Sequence, residues 1–415
     1  MEQHGVNGNK LRDLQVGMTR VFAPEPLPNL LKCSIFLAGP TPREAGVQGW
    51  RVEALRILES LGFDGVVMLP EPRDGNWKHS YDDQLQWERS MREAADIIVF
   101  WVPRSMVPGP NGRASMPALT TNVEFGLDIP TGKVLYGRPH DASQCRYLDH
   151  IWQETTGRKP FEDMTALLSE AVEVLGQGHE RVGEHAAIPL GIWRHEGIEL
   201  WRKSLQTDGH VLKAAQSLLV WPPTPAGETP WLSVARVEVE VHGEGRTKNN
   251  EIVVSRPDAS CVAALHDGTG GVRVLLVREF RSAGGIVLSL PGGSSPHGDS
   301  TPLDAAAEEL REEAGLDIDC SRLVPLGSRH LCPSLLTHRE HAYGLLLSDS
   351  ETETLERSSA SKQVHGANED ERITLLLVHV NQLASLDVGW GVLGVVHEAM
   401  RALCLGVKQM VIPGH

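Results

Sequence analysis

The spacing of apolar residues changes character twice along this chain, and those changes divide it. From residue 33, short apolar runs alternate with amphipathic stretches. The runs are CSIFLAGP (33–40), GVVML (65–69), DIIVFWV (96–102) and KVLY (133–136). Residues 47–61, 81–95, 120–128 and 161–175 carry apolar positions at helical spacing. Strands apolar on both faces that alternate with helices predict a parallel α/β sheet covered on both sides. Ligands of such sheets lie beyond the carboxyl ends of the strands. Gly39-Pro40-Thr41, Pro70-Glu71 and Pro103-Arg104 would then form the rim of a pocket.

The flanks read differently. Residues 1–31 are polar, end in a proline-rich stretch, and are expected to be a loose lead-in to a domain over 32–178. Residues 179–227 place Trp193, Trp201 and Trp221 amid helical spacing, which predicts a helical connector with a tryptophan-rich core. From 228 onward WLSVARVEVEV alternates with period two, and three further β-like runs lead to residue 293. A helix follows. Thr301 suits its N-cap, Pro302 its first position and Gly315 its end. Leu303, Ala307, Leu310 and Ala314 would face a core, with Glu309, Glu312 and Glu313 on the opposite side. Two more strands and a helix at about 393–405 complete an α+β domain over 228–415, while polar 350–367 reads as a mobile loop.

Composition narrows the function. At 415 residues the chain is long enough for two or three domains. Lys+Arg 39 against Asp+Glu 54 gives a net charge of −15, which disfavours nucleic acid and favours small ligands. The six cysteines are scattered without a C-x-x-C pair, as suits reduced thiols in a cytoplasmic protein. Neither a signal segment nor a run of membrane-spanning length is evident, so no membrane partner is expected.

Three like charges on one helix face repel unless a cation sits among them, and oxygen-only ligands favour Mg²⁺ or Mn²⁺. The alternative is a solvated acidic helix. The preceding Pro291-Gly292-Gly293 and the run Glu309-Leu310-Arg311-Glu312-Glu313-Ala314-Gly315-Leu316 resemble the Nudix box. The resemblance implies a Nudix fold that splits a nucleoside diphosphate derivative, with Glu309, Glu312 and Glu313 as metal ligands and Gly293 in the tight loop. Glu308 stands where the box has arginine, Asp299 where it has its upstream glutamate, and one extra residue separates loop from helix. VREFRSAGG (277–285) and residues 366–373 resemble segments of ADP-ribose pyrophosphatases. They imply diphosphate contacts from Arg278 or Arg281 and a base at Glu369 or Glu371. Surface arginines and a charged turn are the plainer alternatives.

Thr120-Thr121-Asn122-Val123-Glu124-Phe125-Gly126, after the strand DIIVFWV, resembles the nucleophile segment of the nucleoside 2-deoxyribosyltransferase family. The opening FLAGP and the YDD helix agree with its layout. A glutamate in a helix's first turn is held ionised by the terminal amides, and it can attack an anomeric carbon as in a retaining glycosidase. Glu124 is therefore the candidate nucleophile, and Asp82 or Asp83 the acid that protonates the departing base. Thr120 and Thr121 would hold a sugar hydroxyl or phosphate, Tyr81 and Trp101 would border the base, and Gly39 and Thr41 would let backbone approach a ligand. The plainer alternatives are a dipole-stabilising Glu124 and N-capping aspartates. Where the family places an aspartate, this chain has Ala118.

The combined expectation is a Rossmann- or flavodoxin-like α/β domain, a helical connector and an α+β Nudix domain acting on nucleosides and nucleotides. Relatives of the front domain form oligomers, which makes a homo-oligomer an expectation. The competing reading is a sensor that binds nucleotide ligands without turnover.

Overall fold

The computed structural model describes residues 17–42, 49–75, 80–108, 112, 114–294, 301–366 and 372–405. It divides into two compact units, Met1–Val254 and Ser255–His415.

The first unit is organised by a five-stranded sheet. Its strands are β1 (Thr19–Phe22), β2 (Ser34–Ala38), β3 (Val66–Leu69), β4 (Ile97–Trp101) and β5 (Val134–Gly137), in the order β1-β3-β2-β4-β5 and all parallel. The expected flavodoxin-like sheet is therefore present. Residues 1–31 are not wholly a lead-in, because Thr19–Phe22 forms the edge strand with Val21 buried. Successive strand residues face opposite layers. Ile35, Leu37, Val67, Leu69 and Val99 share a core with α1 (Arg51–Ser60) and α5 (Met164–Leu175). Phe36, Met68, Ile98, Phe100 and Tyr136 share the other with α2 (Tyr81–Ala94), α3 (Leu119–Asp128) and α4 (Arg146–Thr156).

Asp96 immediately precedes β4, with its side chain wholly buried. It accepts hydrogen bonds from Arg181 Nη1 (2.7 Å) and Nη2 (2.6 Å), from Leu190 N (2.7 Å) and from Ser34 Oγ (3.0 Å). That network ties the segment after α5 to the sheet.

The connector is only half helical. After Leu190–Trp193 and α6 (Glu196–Thr207), residues expected as a second helix form β6 (Val211–Trp221). This strand pairs antiparallel with β7 (Leu232–Val241), which neighbours β8 (Arg246–Ser255). Long-range pairing has overridden a local pattern that reads either way. Trp193 is buried and Trp201 partly so, but Trp221 is 57% exposed and lies outside the tryptophan core. The compact units meet at 254/255, while the expected start of the rear domain was 228.

The second unit has a mixed sheet of β9 (Ala259–Gly268), β10 (Gly271–Arg281), β11 (Gly285–Ser289), β12 (Val324–His330) and β13 (Arg339–Leu346), ordered β11-β10-β9-β13-β12. Only β9 and β13 in that path are parallel. The helix α7 (Pro302–Ala314) shares one core with the sheet and with α8 (Asp349–Ser361). A further strand, β14 (Thr374–His379), pairs with β10, and α9 (Trp390–Ala402) belongs to the other core. This is the expected α+β architecture. The mobile loop expected at 350–367 is instead mostly α8, whose Ser348–Glu351 capping box fixes its start. No helix among the described residues is long and apolar enough to cross a membrane.

Candidate active sites

In the first unit a cleft of about 310 Å³ opens beyond the carboxyl ends of the parallel strands. Gly39, Pro40 and Thr41 after β2 line it, with Pro70 after β3 and Ala118, Thr120, Thr121 and Glu124 from α3. Helix α2 contributes Tyr81, Gln84, Leu85 and Glu88, the i, i+3, i+4, i+7 positions of one face. The cleft thus gathers six of the expected residues: Gly39, Thr41, Tyr81, Thr120, Thr121 and Glu124.

Three expected residues lie elsewhere. Asp83 is engaged in the capping box with Ser80, accepting from Ser80 Oγ at 2.7 Å. Asp82 is exposed one position further round the helix and lines no part of the cleft. Trp101 is a core residue, 6% exposed, because alternation along β4 turns it toward α1 and α5.

Sequence reasoning missed Glu88. It lines the cleft with Glu124, close enough to act on that carboxyl group, and Gln84 Nε2 donates to its Oε1 at 2.6 Å. A second carboxylate beside Glu124 in the cleft favours its protonated form. Glu124 lies in the second turn of α3, not the first as expected, and it is not held ionised by terminal amides: burial pushes its carboxyl up to about 7, the Arg92 guanidinium opposes this, and the Glu88 and Asp128 charges add to it. The position was legible, since seven residues separate Tyr81 from Glu88, but the Asp-Asp pair at the cap drew the assignment.

Ala118, the N-cap residue of α3, has φ +54°, a left-handed conformation uncommon for a residue with a side chain. It turns the chain so that Thr120 and Thr121 enter the cleft at the start of a ten-residue helix.

In the second unit the three box carboxylates are not all on an outer face. Glu313 is 4% exposed and points inward, where it accepts from Gly292 N at 2.8 Å. Burial pushes its carboxyl up to about 8; the Gly292 amide counters this, and the Glu309 and Glu279 charges add to it. Glu309 reaches the other glycine of the loop: a Cβ on Gly293 would collide with its carboxylate. Glu312 is half-buried and pairs with Arg311 at 3.4 Å. Among the described residues, no three His, Cys, Asp or Glu side chains are grouped closely enough to hold a metal ion. The expected three-carboxylate cluster is therefore not preassembled.

What does converge is an oxygen-only pair, Glu309 and Glu313, on the Gly292–Gly293 loop. Mg²⁺ commonly takes one or two carboxylates and completes its shell with water and substrate phosphates. A buried glutamate crowded by two other carboxylates is the environment a hard cation offsets, so the donor set fits Mg²⁺ or Mn²⁺.

Alternation along β10 separates the two expected arginines. Arg281 shares a face with buried Glu279 and pairs with it at 2.7 Å, while Arg278 is exposed on the opposite face. Glu369, Glu371 and Asp299 lie outside the described residues.

A family model described as nucleoside 2-deoxyribosyltransferase like matches residues 32–142, and one described as NUDIX domain matches residues 255–386. No curated protein matches the chain. Both domain families are families of enzymes. The first match spans β2 to β5 of the parallel sheet and its cleft, and the second spans the mixed sheet, the Gly292–Gly293 loop and α7. The chain therefore carries a nucleoside 2-deoxyribosyltransferase-like domain (32–142) fused to a NUDIX domain (255–386).

Proposed function

We propose that this chain processes nucleotides at two sites, cleaving an N-glycosidic bond in the front domain and a pyrophosphate in the rear domain. The single observation that carries the front reading is the Glu88–Glu124 carboxyl pair inside the cleft. An ionised Glu124 attacks the anomeric carbon of a nucleoside or nucleoside monophosphate. The carbon–nitrogen bond breaks, its electron pair leaves with the base, and Glu88 supplies the proton. Water or a second base then attacks the glycosyl ester, giving its proton to Glu88 and releasing Glu124. Glu88 takes the acid role expected of Asp82 or Asp83, which do not reach the cleft.

Replacing the acid separates substrates by leaving group. Glu88→Gln is expected to slow release of adenine from adenosine by about 10²–10⁴-fold. Release of N7-methylguanine from 7-methylguanosine, whose base departs without a proton, should fall less than about tenfold. Equal losses on both substrates, followed by base absorbance, would remove Glu88 from the acid role.

In the rear domain Glu309 and Glu313 would hold Mg²⁺ or Mn²⁺ and Arg281 would contact the diphosphate. Glu312, Glu369 and Glu371 remain the candidates for further ligation and for the base. The ion, when bound, would polarise phosphate oxygens and lower the pKa of water. An ADP-ribose-like substrate would give AMP and ribose phosphate, and the first product is of the class the front cleft would accept. Gly293→Ala tests the loop: the flexible Glu309 side chain gives way, so the fold survives. Pyrophosphate hydrolysis should fall at least about tenfold, with the melting temperature lowered by less than about 4 °C. Unchanged hydrolysis of ADP-ribose in millimolar Mg²⁺ would show that Glu309 has no part in it.

Leu119, Val123 and Leu127 form an exposed apolar stripe on α3, the helix that carries Glu124. That stripe supports self-association through this helix. A sensor without turnover is the second reading, favoured by Ala118 and by Glu308 in place of the box arginine. Tight calorimetric binding of AMP or ADP-ribose with no product formed would favour it.

A further inference from the structure

The loop Gly39–Thr41 carries two acceptors and a hydroxyl that could turn either way toward a ligand. The first two side chains of the α1 region settle which way. Trp50 Nε1 donates to Pro40 O at 3.0 Å. Arg51 is 2% exposed, and its Nη2 donates to Gly39 O at 2.7 Å, while Nε donates to Leu37 O at 3.0 Å. Its Nη1 donates to Thr41 Oγ1 at 3.0 Å and reaches Glu71 Oε2 at 3.4 Å. A guanidinium only donates, so the Thr41 hydroxyl must accept from it and keeps its own hydrogen for another partner. The carbonyls of Gly39 and Pro40 are likewise occupied from behind. Gly39 cannot be replaced without disturbing this, since a Cβ there would strike the Trp101 carbonyl.

We propose that Arg51 is a positioning residue that fixes Thr41 as a hydrogen-bond donor, so that this wall of the cleft binds an acceptor oxygen of the ligand. The wall offers the Thr41 hydroxyl hydrogen, while the Pro40 and Gly39 carbonyls each already accept one bond from Trp50 and Arg51. A sugar or phosphate oxygen satisfies it, whereas a group that can only donate does not. Arg51 is at the cleft wall itself, but four of its five N–H groups donate to Leu37, Gly39, Thr41 and Glu71, and Glu71 offsets its buried charge, so its main effect on a ligand passes through Thr41. This inference rests on the front cleft being a nucleoside or nucleotide site.

A double-mutant cycle on the full chain tests it, with binding of adenosine and of AMP measured by calorimetry. Thr41→Val is expected to weaken binding of the better ligand by about tenfold, the worth of one hydrogen bond. Arg51→Met should weaken it by a similar factor, and the double variant by about tenfold rather than a hundredfold. Thr41→Ser should bind within about threefold of the unaltered chain, because it keeps the hydroxyl. If Arg51→Met does not fold, Thr41→Val and Arg51→Lys replace it in the cycle, since lysine lacks the fork that reaches Gly39 and Thr41 together. Additive losses in the cycle, or a Thr41→Val variant that binds like the unaltered chain, would overturn the proposal. Binding of neither ligand by the unaltered chain would remove the front-domain reading itself, and this inference with it.

Discussion

Glu124→Gln is expected to abolish base release, lowering kcat/KM for adenosine or AMP by about a thousandfold or more. The amide keeps the size of the side chain and its place in the cleft, but it cannot form a glycosyl ester. The loss should be the same for poor and good leaving groups, which separates it from Glu88→Gln. The pH profile of the unaltered chain follows from the same carboxyl group. Burial holds Glu124 protonated up to about 7, so the nucleophile is absent below that pH and appears as pH rises through it. Activity should therefore climb about tenfold per unit on the acid side and level off above neutrality. An acid limb centred near the ordinary glutamate value would mean that the pair is separated in the working enzyme.

The second large effect concerns stability. Asp96→Ala is expected to destabilise the front unit by about 3–5 kcal/mol, because it leaves the buried Arg181 guanidinium without its carboxylate. The Leu190 N–H and the Ser34 hydroxyl lose an acceptor in the same step. For a unit of this size the melting transition should fall by roughly 6–20 °C. A shift smaller than about 2 °C in calorimetry would show that Arg181 finds other partners or water. The effect is structural. Asp96 lies just before β4, at the opposite end of the strand from the cleft.

Much of the fold was legible because its signals are long and local. Four apolar runs separated by helical stretches leave few arrangements besides a parallel sheet. The cap at Thr301 and the glycine at 315 bound α7 as expected. What was illegible depended on distant partners. Residues 211–221 carry spacing compatible with a helix, and only the antiparallel neighbour at 232–241 makes them a strand. Thr19–Phe22 is too short to announce itself without the β3 edge it joins. The polar α8 lacks an apolar period, although its Ser348–Glu351 cap was in plain view and Thr352, Leu355 and Ser358 are the face it buries.

The sites followed the same division. Glu124, the two threonines and the glycine loop were found from local motifs, and the cleft brings them together. Glu88 is missed when acids are sought by their proximity to a cap rather than by helical face. Glu313 lies three residues after Leu310 and seven after Ala306, both buried, so geometry points it inward. The expectation that carboxylates face water pointed it outward, and the Gly292 amide inside decides for the interior.

The central claim is that Glu124 becomes covalently bonded to a sugar. Full-length Glu88→Gln, which forms the ester with 7-methylguanosine but lacks the base that deacylates it, should accumulate the intermediate. Rapid quenching and peptide mass spectrometry should place one pentosyl group on the peptide containing Glu124, and on no other. Base release by the unaltered chain without any adduct, and persisting undiminished in Glu124→Gln, would contradict the account.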